Sequence, residues 1–155
     1  MSVIGKRVIW AGPVDGSADK PLNVEGVCLT ASLLPGSVME EVATGLQRNA
    51  TAATVFGQEL LVADKDQQRS KSVDTAWTQN ENMVAIKARS GEYLNVLVAT
   101  GQALVRGTPL SLNGAGLLKI AVTPATVGAT SEQVLAYSDE TVTTTATQLV
   151  RVRVA

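Results

Sequence analysis

Alternation of apolar and polar side chains is clearest at the carboxyl end, in Gln148-Leu149-Val150-Arg151-Val152-Arg153-Val154. Successive side chains of a strand point to opposite faces, so this run predicts a strand with one buried and one cationic face. Met83 to Ala88 and Tyr93 to Ala99 are further strand-like runs, and Gln133 to Tyr137 reads the same way. Glycines at 91, 101, 107, 114 and 116 parcel this half of the chain into short strands. Asn113-Gly114, set between Pro109-Leu110-Ser111-Leu112 and Leu117-Leu118-Lys119-Ile120, predicts a hairpin tip, because both residues tolerate the positive φ of a tight turn.

The first half is less regular. Val3 to Trp10 has strand character, with Val8 and Trp10 on one side and Ile9 on the other. Ala11 to Asn23 holds two glycines, two prolines and two aspartates, the composition of a loop or flexible arm. Glu25 to Leu33 is strand-like. Leu34-Pro35-Gly36-Ser37 has the proline and glycine placement of a type II turn. Ser37 to Leu46 fits two patterns: a short helix, from the capping-box spacing of Ser37 and Glu40, or a strand, from Val38, Glu40 and Val42. Thr54 to Ala63 reads as a strand broken at Gly57-Gln58. Asp64 to Asn82 is a long polar loop carrying Trp77, which is expected to be exposed, and loops of such length are usually functional or mobile.

Composition sharpens this to an all-β class. The 155 residues include 21 valines and 16 threonines, types that fit a pleated, half-buried surface. Apolar residues make up 45% and charged residues 17%, so the chain can bury enough surface to fold as a domain. The net charge of −1 gives no bulk field for capturing nucleic acid or anionic lipid, and five aromatics offer few stacking platforms for single strands. No apolar stretch is long enough for a membrane-spanning helix, and Lys6-Arg7 is followed by no signal-peptide core.

Candidate chemistry is sparse. The absence of histidine and the presence of one cysteine, Cys28, exclude His-based triads, the usual zinc fingers and disulfide scaffolds. Cys28 lies in Val27-Cys28-Leu29 and is expected to be a small core residue without a general base beside it. Glu59, Asp64 and Asp66 form the densest acidic cluster. They lack the spacing and glycine of a calcium loop and are expected to be a solvated surface. Ser37 and Ser111 lack the glycines of a nucleophile elbow, and no phosphate loop follows Gly101. Neither a catalytic residue nor a cofactor or metal site is expected. Lys119 brings in the biotinyl and lipoyl carrier barrels as one alternative, but its place in a strand rather than at the Asn113-Gly114 tip is wrong for them.

An ordered set of segments resembles the capsid cement, or head decoration, proteins of tailed bacteriophages. It comprises Leu34 to Glu40, Leu60 to Asp66, Arg89 to Leu110, the Asn113 to Lys119 hairpin and Leu149 to Val154, within residues 25–155. The resemblance implies a small β-barrel or β-tulip domain and favours strand over helix at Ser37 to Ala43. It also implies a homotrimer at threefold and quasi-threefold positions outside an expanded head, with the major capsid protein as partner. A tail or fibre-associated β module is the other structural alternative. Residues 1–24 lie outside the likeness and are expected to form an N-terminal arm, the competing reading being a first strand of the barrel. The candidate partner interface comprises Val3, Ile4, Val8, Ile9 and Trp10 of that arm, with Trp77, Arg151 and Arg153.

Overall fold

The computed structural model describes residues 6–13, 20–122 and 130–155, and these contain strands and no helix. In chain order the strands are β1 (Trp10–Gly12), β2 (Leu22–Val27), β3 (Val38–Val42), β4 (Gly45–Arg48), β5 (Leu61–Ala63) and β6 (Asn82–Lys87). Then follow β7 (Tyr93–Val98), β8 (Ala103–Leu104), β9 (Pro109–Leu112), β10 (Leu118–Ile120), β11 (Ala136–Ser138), β12 (Val142–Thr143) and β13 (Gln148–Val154).

Five of them close into a barrel in the order β7-β10-β9-β11-β13, with β13 returning to β7. That closing ladder is antiparallel and runs from Gln148↔Val98 to Arg153↔Tyr93. The alternation read in β13 is realised there: Val150, Val152 and Val154 are buried, Arg151 is half-buried and Arg153 is exposed. Strand β1 pairs with β7 at Leu94 and Tyr93, ahead of the point where β10 meets β7 at Val98.

The second sheet runs β2-β6-β5-β3-β4. Its two ends meet through a parallel bridge, Cys28↔Leu46, and Leu29 N donates to Leu46 O at 2.8 Å. Alternation gives three of its strands two apolar faces. Val38, Val62 and Ile86 join the core of the first barrel, whereas Met39, Leu61, Ala63, Met83 and Ala85 pack with Cys28, Leu33, Leu46 and Trp77 in a second core.

Backbone hydrogen bonds tie the two bodies together. Val38 N donates to Gly116 O at 2.8 Å and Gly116 N to Asn49 O at 2.9 Å, so the β9–β10 hairpin tip docks on the β3–β4 end. Leu97 N donates to Gly36 O at 2.9 Å. Asn113 supports the tip itself, its Oδ1 accepting from Ala115 N at 2.8 Å and Leu117 N at 3.1 Å.

The predicted turn at Leu34–Ser37 is present, with Ser37 N donating to Leu34 O at 3.2 Å and Gly36 at φ 89°. Residues 37–46 form no helix: they make most of the β3–β4 hairpin, in which Glu40 faces Gln47 and the buried Val38 and Met39 serve the two cores. Only Leu61–Ala63 of the stretch 54–63 is strand, because Ala52 to Gly57 turns back on itself, Val55 N donating to Ala52 O at 3.0 Å. Strand β2 begins at Leu22, ahead of the expected boundary between residues 24 and 25, since Leu22 to Val24 pair with Lys87 to Ala85.

Gly36 and Gly101 offer a matched test of packing at positive φ. A Cβ at Gly36 would collide with Leu149 Cδ2, whereas one at Gly101 (φ 78°) meets nothing within 4 Å. Gly101→Ala is expected to cost about 1 kcal/mol from backbone strain alone. Gly36→Ala is expected to cost about 1–3 kcal/mol more through overpacking, measurable by urea denaturation of both variants.

Candidate interaction surface

The outward side of β13 carries Arg151 and Arg153, and each is held in a different way. Arg153 is cross-strand neighbour to Tyr93 on β7 and Tyr137 on β11, with its guanidinium 5.6 Å from the Tyr137 ring centroid. Both tyrosines of the chain therefore flank one arginine, a row suited to cation–π contact at a surface. Arg151 donates from Nε to Asp139 Oδ2 at 2.7 Å, and Arg106 Nε lies 3.2 Å from Asp139 Oδ1. Glu140 pairs with Lys6 and accepts from Arg151 N at 3.2 Å. This network links the N-terminal segment, the turn that follows β11, and β13. Its members are mostly part-exposed, and such pairs contribute little singly.

The N-terminal segment lies against β7. Asn95 N donates to Ile9 O at 2.7 Å and Asn95 Nδ2 to Val8 O at 2.8 Å, while Lys65 Nζ reaches Arg7 O at 3.2 Å. Ile9 is 1% exposed and belongs to the first core, whereas Val8 is 46% exposed. Trp10 packs partly buried against the same core. Ile9 and strand β1 are thus tied to β7 and the first core. Within the candidate interface Ile9 is unavailable, while Val8 presents an apolar side chain. Val3 and Ile4 lie outside the described residues.

Trp77 corrects the reading of its loop. It is 4% exposed, donates from Nε1 to Asp64 O at 2.7 Å, and exchanges backbone hydrogen bonds with Leu33. It is a member of the second core, beside Cys28, Leu33 and Met83, and is bridged to Leu33. Asp64 and Asp66 correct it too: they are 4% and 6% exposed rather than solvated. The Asp64 carboxylate accepts from Lys65 N at 2.8 Å and from Gln67 Nε2 at 2.8 Å. Burial nevertheless pushes its pKa above the usual 3.8, against the lowering effect of those hydrogen bonds. Asp66 Oδ1 accepts from Arg69 N at 3.2 Å and its main-chain carbonyl from Lys71 N at 3.0 Å, so both acids shape the loop. Glu59 stands apart, paired with Lys87 at 2.8 Å on the surface.

Neither nucleophile candidate has reactive surroundings. Cys28 is fully buried, its thiol donates to Thr30 O at 3.2 Å, and burial raises its pKa. Lys119 sits in β10 and is held by Glu132 at 2.6 and 2.7 Å. Among the described residues no group of three or more Cys, Asp or Glu side chains is arranged to hold a metal.

Apolar side chains that the sequence reading passed over stand out on the loops: Phe56 at 64%, Val105 at 60% and Val122 at 53% exposure. Phe56 follows Val55 directly, and a lone large apolar pair between turn-forming residues was the available signal.

Two variants separate core from surface in the N-terminal segment. Ile9→Ala is expected to cost about 2–5 kcal/mol, as for a fully buried isoleucine, while Val8→Ala should stay within about 0.5 kcal/mol of the parent. Thermal unfolding of both checks this.

Asp64 yields a pH test with a definite sign. Its folded pKa is above 3.8, so the folded state holds more protons than the unfolded chain between those two values. This group's contribution to stability therefore falls as pH rises through that window. Asp64→Asn is expected to remove that slope and to leave stability at neutral pH equal or higher, as read from denaturation midpoints across pH.

No protein-family model matches the chain, and no curated protein sequence matches it significantly.

Proposed function

We propose that the protein is a non-enzymatic virion component: a capsid decoration protein that trimerises on the outside of an expanded phage head and cements neighbouring major capsid subunits against the pressure of packaged DNA. One observation carries the reading. The segments whose sequence resembles cement proteins from Tyr93 onward include all of β7, half of β9 and most of β10 and β13, parts of four of the five strands that close the first barrel. The earlier segments fall on β3 and β5 of the second sheet, and a small barrel is the fold the likeness implies.

Chemistry on the surface supports the same reading. Several buried polar side chains hold backbone: Thr144 Oγ1 donates to Ala99 O at 2.7 Å, Ser138 Oγ to Glu140 O at 2.7 Å, and Asn95 Nδ2 to Val8 O at 2.8 Å. The outward face includes exposed apolar loop side chains and one arginine between tyrosines, and aromatic and arginine side chains are enriched at protein interfaces. A shell engages many copies at once, so each contact need only be modest. The carrier alternative loses support because Lys119 is locked to Glu132 within a strand.

Mixing the purified protein with undecorated expanded heads and counting bound copies by quantitative gel and electron microscopy tests the proposal. Saturation in multiples of three, with heads that resist higher temperature, is the expected result. Heads that bind no protein, or binding confined to tails, would overturn it.

A further inference from the structure

The loop that carries Phe56 is held at both ends by one residue. Gln133 N donates to Ala53 O at 2.8 Å, while its side-chain amide accepts from Gln58 N at 2.9 Å and donates from Nε2 to Gln58 O at 3.0 Å. Ala53 is itself anchored in the first core. Between these fixed points Val55 and Phe56 are exposed. The residue before the clamp, Glu132, holds a third exposed apolar residue. Glu132 N donates to Val122 O at 3.3 Å, and Glu132 Oε2 accepts from Val122 N at 2.7 Å. Three of the seven exposed large apolar side chains among the described residues are therefore fixed around Glu132 and Gln133.

The same segments carry no charge. No Asp, Glu, Lys or Arg occurs from Asn49 to Gln58 or from Ile120 to Val122. The charges that bound these stretches are engaged: Glu59 pairs with Lys87 at 2.8 Å, Lys119 pairs with Glu132 at 2.6 Å, and the Arg48 stem lies against Gly116. Depletion of charge around an aromatic side chain is the composition of an interface core, and interfaces between identical chains are the more apolar class. An unlike partner is selected by charge complementarity, which this face does not offer. Near a symmetry axis identical side chains converge, where like charges repel and neutral apolar groups pack.

We propose that Val55, Phe56 and Val122 form the face through which copies of this chain associate, with Phe56 of each copy as the anchor; this depends on the trimeric assembly proposed above and names its surface. The Gln133 clamp supplies preorganisation, since an aromatic whose backbone is fixed before association loses less freedom on binding. Phe56 is the one phenylalanine of the chain, and large aromatic side chains are the usual anchors of an interface. Val105 is exposed to a similar degree but sits beside Arg106, which pairs with Asp139, so it lies in charged surroundings and serves as the control.

Sedimentation velocity of the whole protein over a concentration series tests this, with Phe56→Asp, Phe56→Leu and Val105→Asp beside the parent. The parent is expected to form trimers. Phe56→Asp should weaken association by about thirty-fold or more, as loss of an interface anchor does, with circular dichroism unchanged because the side chain belongs to neither core. Phe56→Leu should retain most of the association, and Val105→Asp should associate as the parent does. A parent that stays monomeric at every concentration, a Phe56→Asp variant that assembles like the parent, or an equal loss in Val105→Asp would overturn the proposal. A Phe56→Asp chain that still trimerises but no longer binds expanded heads would overturn it too, by assigning the face to the capsid. The decoration reading stands or falls separately, by whether expanded heads bind the parent protein.

Discussion

Three strands of the second sheet have to serve two hydrophobic cores at once, and the remainder of the fold is arranged around that demand. Val38, Val62 and Ile86 point into the first barrel, and Met39, Leu61 and Ala85 point away from it. A register slip of one residue would exchange the two sets and put Met39 against the first barrel. Register is fixed where it matters by long-range pairing: Val38 faces Val62, and Val62 faces Ile86, in one cross-strand row. The docked hairpin tip at Gly116 and the turn at Gly36 then hold this wall against β7 and β10 through main-chain bonds.

A shared wall explains why so little of the polar chemistry is free. Trp77 is buried in the second core, and its indole N–H needs an acceptor and finds Asp64 O. Holding that carbonyl in place buries the Asp64 side chain, at an electrostatic cost that its hydrogen bonds to Lys65 and Gln67 only partly offset. The loop thus does structural work on its inner side and leaves a cavity beside β2 on its outer side. The surface presents exposed apolar loop side chains and an arginine between two tyrosines.

Period-two alternation made much of this legible. β13 spans the Gln148 to Val154 read from sequence, β6 is shifted by one residue from its run, β7 is one residue shorter than its run, and Pro35-Gly36 marked its turn. The capping-box spacing at Ser37 pointed to a helix because it describes local geometry. The strand won through non-local pairing with β5, which no local pattern contains. Trp77 and Asp64 were misread for a related reason. A polar stretch looks solvated when the apolar cluster that takes up its tryptophan is assembled from segments distant in sequence. Ile9 was legible as the opposite face to Val8 and Trp10, but only the structure shows that Asn95 locks its backbone to β7. Ala53, Gln58 and Gln133 meet across a long stretch of sequence, so the clamp that holds the Phe56 loop left no trace along the chain.

The shared wall is expected to couple both cores into one cooperative unit, and the two tryptophans report on the cores separately. Trp10 packs on the first core and Trp77 lies inside the second. Single-tryptophan variants, Trp77→Phe and Trp10→Phe, allow each core to be followed by fluorescence during urea denaturation, with circular dichroism as the common reference. Within each variant, the fluorescence and dichroism transitions are expected to coincide in midpoint and slope. A second core that loses its fluorescence signature well before the β-sheet dichroism is lost would contradict the claim and show two separable bodies.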